Sequence, residues 1–252
     1  MSLVSLESVH YISDRYEVKD LSMQFEKGKL YGFLAPPDEP VNELLKLISG
    51  IVQPDEGAVR FNNTDMNLGT LYNLREIRKK ISYIFERGSL LANLSILENL
   101  LLPYDYHYPD VSREEKMENI RNYFSYFLLP ESILEERPAV QRQQTSKLVI
   151  IIRALLTSPE FLVLDMPFTD LELKSKKRLL RKLAELKKGG NITQLYYSNS
   201  DILYDECDLC YVFENGKIIE TGAWDELILS DNPQTQKIIK DYFEIELDEA
   251  EI

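Results

Sequence analysis

Residues 30–50 read LYGFLAPPDEPVNELLKLISG. The first five residues form an apolar run without alternation, which is typical of a buried parallel strand. A proline-rich loop follows at 35–40. Apolar residues then recur at helical spacing over 41–48, until Gly50, which is typical of a helix end. A strand, a loop and a helix in this order predict an α/β domain whose first loop follows its first parallel strand.

The segments on either side extend this pattern. Alternating residues at 3–25 predict two or three antiparallel strands, and 57–61 and 81–85 predict further strands around a helix at 71–80. Downstream, we predict strands at 161–164, 192–197 and 209–213, and helices at 171–188 and 224–243. Asn215 and Gly216 form a strong hairpin signal leading into 217–220.

The intervening stretch, 87–156, is rich in helical patterns and aromatic residues. We therefore predict three parts: an α/β core from 1–86 and 157–225, a helical subdomain at 87–156, and a C-terminal helix with an acidic tail at 226–252. One chain of 252 residues is long enough for this organisation.

Composition excludes several classes of function. The formal net charge is −13, which disfavours direct binding to nucleic acid or anionic lipid. No apolar run reaches the roughly 20 residues of a membrane span, and the N-terminus lacks the pattern of a signal peptide. We therefore expect a cytoplasmic protein without direct membrane insertion. Cys207 and Cys210 could form a redox pair or half a zinc site, but their apolar surroundings favour core cysteines.

Six segments in matching order resemble the ATP-binding cassette (ABC) family of transporter subunits. The matching segments are 32–36, 44–50, 54–57, 153–156, 159–165 and 215–222. The resemblance implies a P-loop NTPase-like core with a mixed sheet, an antiparallel β subdomain and an inserted helical subdomain. Residues 90–99 resemble many members of the family. Phe168, and 230–233 shortly before Phe243, resemble the subunits that drive lipid transport with MCE-domain proteins in bacterial envelopes.

The family's phosphate loop reads G-x-x-x-x-G-K-[ST], and its backbone amides, lysine and hydroxyl hold nucleotide and magnesium. The matching positions in this chain hold Ala35, Pro40, Val41 and Asn42. Asp38 and Glu39 stand where the phosphates would lie, and we expect one of them to cap the following helix in place of the anion. The resemblance therefore implies a degenerate site with weak or no binding of ATP and Mg²⁺.

The family's other nucleotide-site positions are also altered. The magnesium aspartate is retained as Asp165, which we expect to be metal-free and to accept hydrogen bonds from nearby backbone. The catalytic glutamate, the glutamine, the switch histidine and the dimer-contacting aspartate are replaced by Met166, Glu86, Asn199 (or Ser198) and Glu172. A thioether cannot act as general base. The signature positions hold Gln141, Arg142, Gln143, Gln144 and Thr145, whose bulk would block close backbone approach.

Three functions remain open on these residues. The first is a catalytically degenerate subunit of a membrane transport complex, possibly for lipids. It would be held by a permease at the cytoplasmic face of the inner membrane, as a homodimer or as a heterodimer with an active paralogue. The second is a divergent ATPase that retains Asp165. The third is a soluble adaptor without a permease. Residues 86–102 and the tyrosines of 104–108 either line the permease groove or pack the helical subdomain.

Overall fold

The computed structural model describes residues 2–14, 16–68, 70–199 and 201–243. Its strands are β1 (Ser2–Ile12), β2 (Glu17–Glu26), β3 (Leu30–Leu34), β4 (Glu56–Phe61), β5 (Thr64–Asp65), β6 (Ile81–Ile84), β7 (Phe161–Asp165), β8 (Thr193–Tyr197), β9 (Leu209–Glu214) and β10 (Lys217–Gly222). Its helices are α1 (Val41–Ile48), α2 (Leu71–Arg78), α3 (Ile96–His107), α4 (Arg113–Phe127), α5 (Gln143–Leu156), α6 (Leu173–Lys188), α7 (Trp224–Ile228) and α8 (Pro233–Phe243).

The strands form two sheets. The larger has the order β10-β9-β3-β8-β7-β6, in which β9, β3, β8, β7 and β6 run parallel and β10 is antiparallel. The smaller is antiparallel with the order β2-β1-β4-β5. This confirms the predicted mixed sheet and antiparallel β subdomain.

Burial explains why the central strands were readable from the sequence. Every residue of β3, β7 and β8 is buried, because helices and the second sheet cover both faces of the parallel sheet. Because parallel strands end at the same edge, the loops after β3, β6, β7 and β8 meet there. That edge holds the candidate site.

The predicted helical stretch 87–156 is described in full, and none of its residues lies in a strand. Its three α-helices pack beside the sheet: α3 and α4 contact α5, and α5 contacts β6. The three-part division of the chain remains a prediction in its residue boundaries.

Two predictions about the C-terminal part have different outcomes. The hairpin at Asn215 and Gly216 is confirmed, since both residues have positive φ (53° and 72°), as a tight primed turn requires. The single helix at 224–243 is wrong: the chain forms α7 and α8, separated by residues 229–232. Ser230 donates a 2.7 Å hydrogen bond to Glu220, and the side chain of Asn232 accepts the amide of Gln234 at the start of α8. The predicted acidic tail, 244–252, lies outside the described residues.

Cys207 and Cys210 are both free thiols; Cys207 lies just before strand β9, and Cys210 lies within it and is fully buried. Burial raises the pKa of the Cys207 thiol well above its usual value. Among the described residues no group of histidine, cysteine or acidic side chains could hold a metal ion. These observations support the interpretation as core cysteines. Within the same residues, no helix is long and apolar enough to cross a bilayer.

Candidate functional site

A cavity of about 800 Å³ lies at the carboxyl edge of the parallel sheet. The residues that line it come from the loop after β3, from the first turns of α1, from the ends of β6, β7 and β8, and from α8. Five of its lining residues are acidic and two are basic: Asp38, Glu39, Glu86, Asp165 and Asp241 against Lys46 and Arg87. The structure therefore brings together most of the predicted site residues, in an acidic setting.

The loop at 35–42 offers few backbone donors to this cavity. Pro36, Pro37 and Pro40 have no N–H group. The amides of Glu39 and Val41 donate to carbonyls within the loop, at 3.0 and 2.8 Å. Because three residues have no donor and two donors are already bonded within the loop, few amides remain that could converge on a phosphate.

Glu39 does not cap α1, and neither does Asp38, so that prediction was wrong. The residue at the N-cap is Pro40, without any side-chain cap. Instead the Glu39 carboxylate accepts the amides of Asn215 and Gly216 at 2.8 and 2.9 Å. A glutamate is long enough to reach the tight β9–β10 turn, where the amides of Asn215 and Gly216 both point to its carboxylate and favour an anion. Burial raises the pKa of the neighbouring Tyr16 phenol, and the charge of Glu39 raises it further.

The Glu39→Gln substitution is expected to lower the free energy of unfolding by about 1–3 kcal/mol. The substitution removes the charge and one acceptor, so one buried turn amide loses its partner. Asp38→Asn is the matched control, because Asp38 is exposed and forms no hydrogen bond or ion pair in the described chain. It should change stability by less than about 0.5 kcal/mol. Urea denaturation of both variants measures the difference; equal effects would contradict the role assigned to Glu39.

The remaining loop residues differ in exposure. Ala35 and Val41 are buried in the core that the two sheets share. Asn42 is exposed at the cavity. The one lysine lining the cavity, Lys46, forms a 2.8 Å ion pair with Glu43, and this pair lowers the pKa of that carboxyl. The charge of Lys46 is therefore largely neutralised within α1.

Asp165 lies at the end of β7, where the sequence placed it, but its partner differs from the expected backbone. Its carboxylate accepts a 2.9 Å hydrogen bond from the Tyr83 hydroxyl on β6. Burial raises the pKa of the Asp165 carboxyl, and the hydrogen bond from Tyr83 offsets part of that rise. The neighbouring Met166 has a positive φ of 45°, and its amide donates to the carbonyl of Tyr197 at 2.9 Å. A thioether therefore stands beside the strand-end carboxylate.

Lys147 is a residue that our sequence reasoning missed. Its side chain is only 2% exposed, and its ammonium donates to the carbonyls of Phe85, Glu86 and Met166 at 2.8, 3.0 and 2.9 Å. It therefore fastens α5 both to the loop after β6 and to the loop after β7. Burial lowers the pKa of Lys147 to about 8. The available signal was a lysine immediately before the apolar run 148–152.

The signature positions form contacts within the chain. Gln141 bonds to Glu136, and the side chain of Gln144 accepts the amide of Glu172 at 2.7 Å. Arg142 and Gln143 are exposed at the start of α5, and Thr145 is half-buried. Gln144 therefore connects α5 to the loop before α6.

The other substituted positions also lie near this edge. Glu86 and Asn199 are exposed and line the large cavity, whereas Ser198 is buried. Because Ser198 is inaccessible, Asn199 is the better match for the switch position. Glu172 is exposed at the N-cap of α6.

The sheet order, the loop after β3, the strand-end Asp165 and the helical stretch before β7 define a P-loop ABC ATPase fold. A family model described as ABC transporter matches residues 18–169, more than half of the chain. The chain therefore belongs to the ABC transporter family, as a nucleotide-binding domain.

Curated relatives include importer subunits. The chain is 24% identical over 239 residues to the methionine import ATP-binding protein MetN of Clostridioides difficile, covering 94% of this chain and 74% of the relative. It is 30% identical to MetN of Streptococcus thermophilus (88% and 64%). It is 26% identical to the sulfate/thiosulfate import ATP-binding protein CysA of a Synechocystis species (90% and 62%).

A similar solved structure is the cassette MJ0796 in a dimeric post-hydrolysis state with ADP and Pi. It superposes with a TM-score of 0.79 at 21% identity, covering 87% of this chain and 98% of that one. A nucleotide-free cassette of an ABC transporter gives 0.75 at 24% identity, with coverage of 94% and 98%. At these identities the similarity establishes the fold.

Proposed function

We propose that this chain is a cassette subunit that neither binds nor hydrolyses MgATP, and that it serves as a structural or regulatory component of a membrane transport complex. The observation that carries the proposal is the loop at 35–42. It has three prolines, lacks glycine and lysine, and presents Asp38 to the cavity. These residues do not fit a magnesium nucleotide.

Electrostatics favour the same reading. Of the two basic residues at the cavity, Lys46 is paired with Glu43, and Arg87 is paired with Asp170 at 3.3 Å. The carboxylates of Asp38, Glu86 and Asp165 would therefore face a triphosphate with little compensation. At an effective dielectric of 20, like charges 4 Å apart repel by about 4 kcal/mol.

A divergent ATPase is the alternative activity. It would need a general base beside the attacking water, and Met166 supplies none. The burial of Asp165 and its hydrogen bond with Tyr83 are explained by packing alone. A soluble adaptor without a permease is the other alternative, and the surface described next separates it from a transport subunit.

The α2–α3 surface, formed by Leu71, Tyr72, Leu102 and Tyr106, is exposed and apolar. Arg75 joins the two helices, because its guanidinium lies 4.8 Å from the centre of the Tyr106 ring and donates to the Tyr106 carbonyl. Exposed aromatic and aliphatic side chains held in a rigid setting suit the docking of a short helix. We propose that a permease segment docks here, which would hold the chain at the cytoplasmic face of the inner membrane.

The tyrosines of 104–108 divide between the two predicted roles. Tyr104 is buried, and Tyr108 donates from its hydroxyl to the Thr157 carbonyl at 2.7 Å, so both pack the helices. Tyr106 is 59% exposed and belongs to the proposed docking surface. Of these three tyrosines, only Tyr106 therefore belongs to the α2–α3 surface.

Lipid is the more specific substrate that we propose for this transport complex, on the basis of Phe168 and residues 230–233. Phe168 is buried and packs edge-on against Tyr196, while Ser230 and Asn232 hold the α7–α8 connection. Packing explains these residues as well as a specialised partner would. Pairing with a second copy or with an active paralogue is proposed from the dimeric state of MJ0796.

Docking is tested with a Leu71→Glu/Tyr106→Glu double variant. The tagged chain is purified from detergent-solubilised membranes of its own organism, and the associated polytopic membrane protein is quantified by mass spectrometry. Two charges on the α2–α3 surface should reduce its recovery at least about tenfold. Leu229→Glu is the control, because Leu229 is 81% exposed after α7, away from this surface. Equal recovery with both variants would contradict docking at the α2–α3 surface, and a wild-type chain that recovers no membrane protein would favour the soluble adaptor.

A further inference from the structure

A second, smaller cavity of about 150 Å³ lies away from the nucleotide-site positions. It lies between the end of α2, the edge strand β6, the last turns of α3 and the end of α5. Its ten lining residues are Arg78, Lys79, Ile81, Ser82, Tyr83, Pro103, His107, Arg153, Ala154 and Thr157. None of these is acidic and four carry basic side chains, in a chain with 42 acidic and 29 basic residues.

Arg153 is a largely buried cation that pairs with no carboxylate among the described residues. Its guanidinium donates to the carbonyl of Ser89 at 2.8 Å and to the hydroxyl of the same residue at 2.6 Å, both uncharged acceptors. Burial alone lowers the pKa of Arg153, and no carboxylate opposes this effect. A buried charge without a counter-ion is destabilising, so an anion that enters here gains a favourable partner.

His107 supplies a second, independent observation. Its Nδ1 atom is buried and has no hydrogen-bond partner among the described residues. Burial lowers the pKa of this imidazole, the charges of Arg75 and Lys79 lower it further, and Glu76 partly opposes them. In its protonated form this buried nitrogen would donate a hydrogen bond to an anion in the cavity.

The two remaining cations of the cavity lining, Arg78 and Lys79, differ in their partners. Arg78 is exposed and forms no ion pair or hydrogen bond in the described chain. Lys79 is 3.4 Å from Glu76 and 5.1 Å from the centre of the Tyr108 ring. Deeper inside, the hydroxyls of Ser82 and Thr157 lie 2.9 Å apart and add polar hydrogens.

We propose that this cavity binds a small oxyanion with the size and charge of inorganic phosphate. Its volume is about five times the roughly 30 Å³ that one water occupies in the liquid. That space accommodates a phosphate with a few waters and is too small to enclose a whole nucleoside triphosphate. Cations from α2 and α5 together with a ring nitrogen from α3 supply the charge-assisted donors that such an anion requires.

Histidine NMR tests the proposal, because the chain has two histidines and only His107 lines the cavity. Inorganic phosphate is titrated into the full chain against sodium chloride at matched ionic strength. Phosphate should shift the His107 ring signals saturably and raise the pKa of His107, because a bound anion favours the imidazolium. His10, on β1, is the internal reference and should stay unchanged.

A variant and a second ligand sharpen the test. Arg78→Gln changes an exposed side chain, so the fold should be retained, and the affinity for phosphate should fall about tenfold, equivalent to one charge-assisted hydrogen bond. ATP should act on His107 no more strongly than phosphate. The proposal is overturned if His107 titrates identically in phosphate and chloride, if both histidines shift alike, or if ATP binds more tightly at His107.

Discussion

Replacing Lys147 with methionine is expected to lower the free energy of unfolding by about 3 kcal/mol at neutral pH. Methionine keeps most of the aliphatic stem but leaves the carbonyls of Phe85, Glu86 and Met166 without their donor. An unsatisfied buried polar group costs about 1–3 kcal/mol, so the three unpaired carbonyls together cost about 6 kcal/mol. The removed ammonium no longer has to be desolvated, which offsets part of that total.

The pH dependence gives this prediction a second readout. The pKa of Lys147 in the folded chain is about 8, below the value of roughly 10.4 expected in the unfolded chain. Between these values the unfolded chain binds more protons, so the wild-type stability rises with pH. The contribution of Lys147 to the free energy of unfolding is complete above the unfolded-state pKa and is lost as the pH falls through 8. The difference between wild type and Lys147→Met should therefore widen from pH 8 to pH 10.

Lys177→Met is the matched control for this experiment. Lys177 is exposed on α6 and forms no hydrogen bond or ion pair in the described chain, so its replacement should change stability by less than about 0.5 kcal/mol. Urea denaturation at several pH values measures all three proteins. A Lys147→Met variant as stable as the control variant would show that the lysine does not join α5 to the two loops.

Sequence patterns were sufficient where burial alone determines structure. The strands β3 and β7 are continuous apolar runs because both faces of the parallel sheet are covered. The β9–β10 turn was readable because Asn215 and Gly216 tolerate positive φ. The same local rules placed Asp165 and the loop at 35–42 at one edge of the sheet.

Long-range partners could not be predicted from local pattern. Glu39 stands at a helix start, where capping is the expected role, yet its carboxylate bonds to a turn 176 residues later. Lys147 contacts segments that are 62 and 19 residues away along the chain. The break between α7 and α8 did have a local signal, since Asn232 before Pro233 is typical of a helix start.

The second expected effect concerns nucleotide. The wild-type chain should show no saturable binding of MgATP up to millimolar concentrations, because the loop lacks the lysine and has few free amides to hold the phosphates. A variant whose phosphate loop is restored to the family pattern should bind MgATP. Its substitutions are Ala35→Gly, Asp38→Gly, Pro40→Gly, Val41→Lys and Asn42→Ser. Two or three new charge-assisted hydrogen bonds contribute on the order of 4–5 kcal/mol, or roughly a thousandfold in affinity.

The restored variant has its own control, in which Val41 is retained and the other four substitutions are kept. Without the lysine, most of the gain should disappear, since backbone amides alone leave the phosphate charge uncompensated. Neither variant should hydrolyse ATP, because Met166 still stands beside Asp165. A restored loop that folds and leaves ATP unbound would show that other parts of the cavity exclude the nucleotide.

Equilibrium dialysis of the unmodified chain against radiolabelled ATP with magnesium gives the decisive comparison. We predict equal ATP concentrations on both sides of the membrane at every concentration up to millimolar, while the restored loop retains ATP under the same conditions. Micromolar, magnesium-dependent retention of ATP by the unmodified chain would contradict the account of this protein as a cassette without nucleotide.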